Sequence, residues 1–181
     1  MADILDKNFY NRYTPEVTKD LLGCRLAREV DGEIYKGMIT EAECYRGFHD
    51  LASHASRAKT KRNKVMFGEP GRVYVYLIYG MYWMLNVVTE KEGYPAAVLI
   101  RGVEMVDKSG NKTKKLDGPG KLTRDFGIAK DLNEWDLTLG EKLWIEENKS
   151  LRKKKIIKKP RVGVDYAGRC RKWKWNFSLK F

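Results

Sequence analysis

Glu41 and Glu43 lie two residues apart in GMITEAECYRG, a run that reads as a β-strand. Alternate residues of a strand point to one side, so the two carboxyl groups share a face, and Tyr45 follows them on it. If the sheet also brings Tyr76 and His54 there, Glu43 stands among rings and away from water, an environment suited to a general base working near neutral pH. The alternative is an exposed strand edge with two solvated acids. A second signal lies in RVYVYLIYGMYWMLNVVT, where two strand-like runs flank Tyr79-Gly80. The tip of that hairpin carries Tyr79 and Met81. An aromatic tip either folds back onto its own strands or serves as a wedge of the kind that unstacks bases from the minor groove. Asn86 sits within apolar MLNVV and Arg101 ends apolar AAVLI; each is a structural hydrogen-bonder or faces a ligand. Lys121 in GPGK precedes a helix, where N–H groups and a lysine make a reasonable phosphate cradle. GPGK lacks the Walker spacing, so nucleotide hydrolysis is not implied.

Those residues must be carried by a sheet. Thr14-Pro15 opens a short helix that Gly23 can end, with Thr14 as its cap. Two extended runs around Asp31-Gly32 predict a tight hairpin. Residues 51–58 could form one or two helical turns, and 59–64 a basic loop. After the Tyr79 hairpin, 96–105 reads as a central strand, 107–116 as a polar loop, and 117–128 as a glycine-rich turn entering a helix. Further strands are expected at LWIEE, at IIKKPRVGV and at KWKWNFSL, the last with Trp173, Trp175, Phe177 and Leu179 on one face. Eight or so strands with few helices predict an α+β domain: a curved, mostly antiparallel β-sheet with short peripheral helices and a protruding β-hairpin.

The composition narrows the class. The chain has 181 residues, 43% of them hydrophobic, enough for the packed core of a single domain over 1–181. No apolar run approaches the ~20 residues of a membrane-spanning helix. The start, MADILDKNFY, has acids and lacks the apolar stretch of a signal peptide. Three widely spaced cysteines fit a reducing compartment, and neither they nor the two histidines have metal-ligand spacing. Lys and Arg number 36 against 24 Asp and Glu, a net charge of +12. Between Arg152 and Lys174 there are eleven basic residues and one acid. With five Trp, ten Tyr and six Phe, that excess points to nucleic acid, whose bases offer faces to stack on. A lysine-rich hairpin that protects a sheet edge is the plainer account.

Taken in order, GMITEAECYRG, SHASRAKTKRNKVMF, PGRVYVYLIYGMYWMLNVVT, AAVLIRGVE, GPGKL and RVGVDYAG closely resemble the methylpurine-DNA glycosylase family, the alkyladenine or 3-methyladenine DNA glycosylases. The resemblance runs from about the Thr14 helix to the last strand. It implies a monofunctional DNA N-glycosylase of base excision repair, which flips alkylated purines such as 3-methyladenine out of double-stranded DNA and hydrolyses the N-glycosidic bond. By the same resemblance Glu43 is the catalytic glutamate that activates water, and Arg101 stands beside the target phosphate and that water. Tyr45, His54 and Tyr76 sandwich and contact the extruded base, and Asn86 obstructs the 2-amino group of guanine. Tyr79, with Met81 beside it, fills the gap in the stack, and Lys121 contacts the DNA backbone. The product is an abasic site without strand cleavage. Metal and organic cofactors are not expected, nor is a membrane; the protein is expected to be monomeric and intracellular, in the cytoplasm or nucleoid of a bacterium or the nucleus of a eukaryote.

The sequence departs from the family pattern at Ala42 and Cys44, where Thr and Ala are usual. Both are small, which keeps the carboxylate in place, and a thiol at 44 could alter the hydration or redox sensitivity of the site. The basic cluster Lys153–Lys159 is not a family motif, and phosphate attraction is the role it suggests. Two other classes stay open on the residues alone. A non-enzymatic nucleic-acid-binding β-domain accounts for the charge but not for Glu43 among Tyr45, His54 and Tyr76. A small-molecule hydrolase leaves the Tyr79 tip unexplained.

Overall fold

The computed structural model describes residues 3–107, 109–148 and 155–180. The fold is α+β, a curled antiparallel sheet with few short helices. Its spine is two long strands, β2 (Glu33–Arg46) and β5 (Ala96–Val106), paired along most of their length. Around them stand β1 (Arg25–Val30), β3 (Val73–Ile78), β4 (Tyr82–Val88), β6 (Lys112–Asp117), β7 (Leu143–Glu146), β8 (Ile156–Lys159) and β9 (Asn176–Leu179), in the order β3-β4-β5-β2-β1-β7, with β6 on β5 and β9 between β2 and β8. Both spine strands change neighbours part-way: β2 pairs β1 early and β9 at Glu41–Glu43, while β5 pairs β4 early and β6 late.

The exchange occurs at a bulge. The β2–β5 register shifts between Ile39, Glu41 and Ala42, which bends the strands and adds twist. Gly102 sits there because a Cβ would meet Thr40 Oγ1 at 3.0 Å and Glu41 Cβ at 3.1 Å. One face of the sheet holds the main core. There Ala42 and Cys44 join Ile39, Val98 and Ile100, all fully buried, against α2 (Thr14–Leu21), which buries Val17 and Leu21. Burial of each such aliphatic side chain is worth ~1.5–3 kcal/mol.

Local differences from the sequence expectations have local causes. Thr14 does not cap α2: it lies inside the helix, and its hydroxyl donates to Glu90. Residues 51–58 form turns rather than helix, pinned by the Asp50 carboxylate on the Ala52 N–H. The second half of the predicted loop 107–116 is strand β6, which covers the late edge of β5. The strand predicted through 164 ends at Lys159, because Pro160 has no N–H for the ladder. Likewise the final strand begins only at Asn176, while Trp173 and Trp175 precede it and pack on each other at 4.6 Å. Lys153 and Lys154 of the basic cluster lie outside the described residues.

Candidate active site

The opposite face of the sheet gathers the residues singled out above. Tyr74, Tyr76 and Ile78 alternate along β3, and the register sets Tyr74 opposite Asn86 and Tyr76 opposite Met84. Asn86 lies beside Leu99 on β5, and Leu99 beside Glu43 on β2. Period-two alternation therefore carries one face across four strands. That face lines a cavity of about 430 Å³, closed by His54 on one side and by Val162, Val164 and Tyr166 on the other, with Tyr79 at its mouth.

Glu43 is fully buried just behind this lining. The Tyr45 hydroxyl donates to its Oε2 at 2.8 Å. Its Oε1 accepts from the Val162 N–H at 2.8 Å and from Asn176 Nδ2 at 2.8 Å. Arg101 Nε stands 3.5 Å from Glu43 Oε1 and 3.4 Å from Glu41 Oε1. Tyr45, Arg101 and Val162 all line the cavity, so the carboxylate meets it through three neighbours. The solvated strand edge is thus excluded for Glu43; Glu41 is half-buried, held by Asn176 Nδ2 at 2.7 Å and facing Lys159 at 3.5 Å.

The rings differ in their protonation chemistry. Burial, and then the Glu43 charge, push the Tyr45 phenol well above its ordinary pKa, so it remains a donor to Glu43. Tyr76 is likewise raised by burial. His54 meets Tyr76 edge-on at 4.6 Å, and its Nδ1 is 3.0 Å from the Tyr74 hydroxyl. Its inner side is crowded by these rings although its outer edge is exposed. That partial burial, with the Arg62 charge second, lowers its pKa to about 4, and the imidazole is neutral at pH 7. Asn86 is buried, its Nδ2 donating to the carbonyls of Tyr74 at 3.1 Å and Met84 at 3.3 Å.

The hairpin tip projects. Tyr79 is 83% exposed and Met81 65%, so the ring does not fold back on its strands. Tyr79 and Gly80 both take left-handed backbone, with φ of 51° and 70°, and the Met81 N–H closes the turn on the Ile78 carbonyl at 3.1 Å. Met81 and Lys121 are not part of the aromatic cavity. They line an adjoining groove of about 580 Å³ between the hairpin and α3 (Pro119–Asp125). Lys121 is paired with Asp117 at 2.7 Å on the exposed surface.

Residues 8–180 match the family described as methylpurine-DNA glycosylase (MPG). The chain belongs to that family. It is 46% identical to a relative in Methanocella arvoryzae over 96% of this chain and 91% of the other. It is 48% identical to one in Legionella pneumophila over 90% and 87%, and 43% identical to one in Alkaliphilus oremlandii over 97% and 95%. Each bears the name "Putative 3-methyladenine DNA glycosylase". The protein is accordingly a DNA glycosylase, a hydrolase of N-glycosyl bonds in DNA, and takes part in DNA repair. Among the described residues no helix is long and apolar enough to cross a membrane.

Four residues around this cavity carry no signal in the sequence that assigns them to it. Asn176, which bridges Glu41 and Glu43, sits in a strand recognised only by its alternation. Val162 contributes a backbone N–H, which its side chain does not advertise. Asp50 and Arg161 form a buried ion pair behind Tyr45; the RVGVDYAG block holds Arg161 but gives no reason to pair it with a residue 111 positions earlier. The Cys44 thiol belongs to the opposite face. It is buried in the core, and burial raises its pKa, so it neither hydrates the site nor offers it a redox-active group.

Proposed function

We propose that this glycosylase removes alkylated purines, 3-methyladenine among them, from duplex DNA by extruding the base into the aromatic cavity and hydrolysing its bond to the sugar. The observation that carries this is the fully buried Glu43 carboxylate, fixed by Tyr45, Val162 and Asn176 directly behind the lining of that cavity. A base inside a duplex is out of reach, and flipping costs a few kcal/mol. The exposed Tyr79 beside the cavity mouth fills the vacated step and offsets part of that cost. An alkylated ring nitrogen makes the purine a cation, and the Tyr45 and Tyr76 faces attract it by ~0.5–2 kcal/mol each. The same charge makes it a good leaving group.

Glu43 takes a proton from water as the oxygen attacks the sugar C1′. The N-glycosidic electrons pass to the departing purine, and the carboxylate charge steadies the oxocarbenium-like transition state. Arg101, already beside both carboxylates, holds the target phosphate and the water. Asn86, which lines the cavity, obstructs a 2-amino group in our reading and so disfavours ordinary guanine. A water nucleophile leaves an abasic site, an intact strand and no lyase chemistry. The enzyme acts as a monomer, wherever the cell keeps its genomic DNA.

The test is Glu43→Gln. Its carbonyl can keep the Val162 and Asn176 donors while its amide turns to the Tyr45 oxygen, so the fold is retained and the base is lost. Single-turnover excision from methylated DNA is expected to disappear while a gel shift shows DNA binding unchanged. Undiminished excision refutes the assignment.

A further inference from the structure

We propose that the buried Asp50–Arg161 pair is a positioning device that holds Glu43, Tyr45 and the His54 loop in register for chemistry; the proposal rests on Glu43 acting as the base. Both side chains are fully buried, and the contact is two-pronged: Arg161 Nη1 donates to Asp50 Oδ2 at 2.6 Å and Nη2 to Oδ1 at 2.7 Å. A buried ion pair is not in itself a source of stability, because desolvation of both charges offsets their attraction. Its location says what it does. Neither residue lines the cavity, so neither touches the base, yet the pair grips three of the cavity's walls.

The first wall is β2. Arg161 Nη1 also donates to the Cys44 carbonyl at 2.8 Å, the peptide that joins Cys44 to Tyr45. Its guanidinium lies over the Tyr45 ring at 4.7 Å and over the Trp175 ring at 5.3 Å. The second wall is the loop that follows. Val162, next in the chain, places its N–H on Glu43 Oε1, and Val164 and Tyr166 continue the lining. The third wall is the segment around residue 50. The Asp50 carboxylate accepts the N–H groups of Arg46 at 3.3 Å and Ala52 at 3.1 Å, which fixes the turns that carry His54. Arg161 is thus one residue from a direct donor to the proposed base and in contact with the ring of another. A shift of Arg161 moves the Val162 N–H and the Tyr45 phenol together.

The variants are Asp50→Asn and Arg161→Lys in the full chain. The first removes one charge at constant shape. The second keeps the charge but loses the two-pronged grip and the flat face on Tyr45. Excision of 7-methylguanine from a duplex is followed under single turnover over a range of enzyme concentrations. Misplacement of a reacting group by about an ångström can cost ~100-fold. A plateau rate constant lower by ~10- to 100-fold is therefore expected in both variants, with the half-saturating concentration within about threefold of the parent. Loss confined to the reaction amplitude, with an unchanged rate constant in the fraction that reacts, is what a merely structural pair gives and overturns the proposal. An unchanged plateau in either folded variant overturns it as well. Should Asp50→Asn fail to fold, Arg161→Lys decides, since its charge still neutralises Asp50. Glu43→Gln run in parallel separates the two claims: normal excision by it sinks the assignment of the base, whereas its inactivity beside fully active Asp50 and Arg161 variants sinks the positioning alone.

Discussion

Replacement of Tyr79 by Asn separates stability from function at the hairpin tip. Tyr79 holds left-handed backbone at φ 51°, a conformation that costs an ordinary residue ~1–2 kcal/mol and that Asn tolerates far better. Asn-Gly is also the favoured pair for a tight hairpin turn. Against this gain stands the contact the ring makes. It is 83% exposed, so only about 35 Å² of a ring worth ~200 Å² is buried, or ~0.9 kcal/mol at ~25 cal/mol per Å². The two effects nearly cancel, and Tyr79→Asn should melt within about 3 °C of the parent, since ~1 kcal/mol moves a chain of this size by ~2–4 °C. Function should respond differently. Stacking between an aromatic side chain and a base is worth ~1–3 kcal/mol, a factor of about 5 to 150 in affinity. Fluorescence anisotropy on a duplex with an uncleavable abasic-site analogue should show a loss in that range, and on undamaged duplex of equal length almost none. Equal losses on both duplexes would remove the wedge from the mechanism. A fall in melting temperature of 10 °C would instead show that the ring supports the fold.

Two further outcomes follow from the protonation states. His54 should titrate by NMR near pH 4, because burial and then Arg62 lower it, and Arg62→Gln should raise the midpoint; one close to 6.5 contradicts the packing described. With the folded pKa below the unfolded one, the unfolded chain binds more protons between pH ~6.5 and ~4, so this group's contribution to stability is present above that window and is lost as the pH falls through it. The three cysteines are all buried, and the Cys44 thiol is further disarmed by its raised pKa. An aromatic disulfide reagent should therefore find no fast thiol in the native enzyme and three after denaturation, and one rapidly reacting thiol that also inhibits excision would place Cys44 on the wrong face.

The sheet residues of the site were legible because strands have a short, strict period. With GMITEAECY extended, Glu43 and Tyr45 must share one face and Ala42 and Cys44 the other. The Tyr79-Gly80 turn was legible for a related reason, since few sequences tolerate positive φ. What stayed hidden was contact between segments remote in sequence. Asp50 meets Arg161 through closure of loops whose geometry no local period encodes, and Asn176 meets Glu43 through the pairing of β9 with β2, a register that neither strand's own period encodes. The strand ends were hidden too: Pro160 cuts short an apparent run from Ile156 to Val164, and the freed residues become cavity wall. Thr14 shows the converse error, a good capping residue drawn into the helix by a carboxylate 76 positions away.

The pleat of β2 sets how the residues around Glu43 respond to substitution. Substitutions at 42 and 44 fall on the core face, where volume decides, and both residues present are small enough to pack at full burial. Their side chains point away from Glu43, so the carboxylate is insulated from them by the pleat itself. Substitutions at 50, 161 or 176 have no such insulation. Each would leave a buried partner unpaired, Arg161 or Asp50 as a bare charge and Glu43 short of a donor, at a cost well above that of an apolar swap. The candidate site is therefore tolerant at the core-facing positions of β2 and intolerant where segments remote in sequence meet behind the cavity. Random mutagenesis scored by alkylation survival should return changes at 42 and 44 far more often than at 50 or 161.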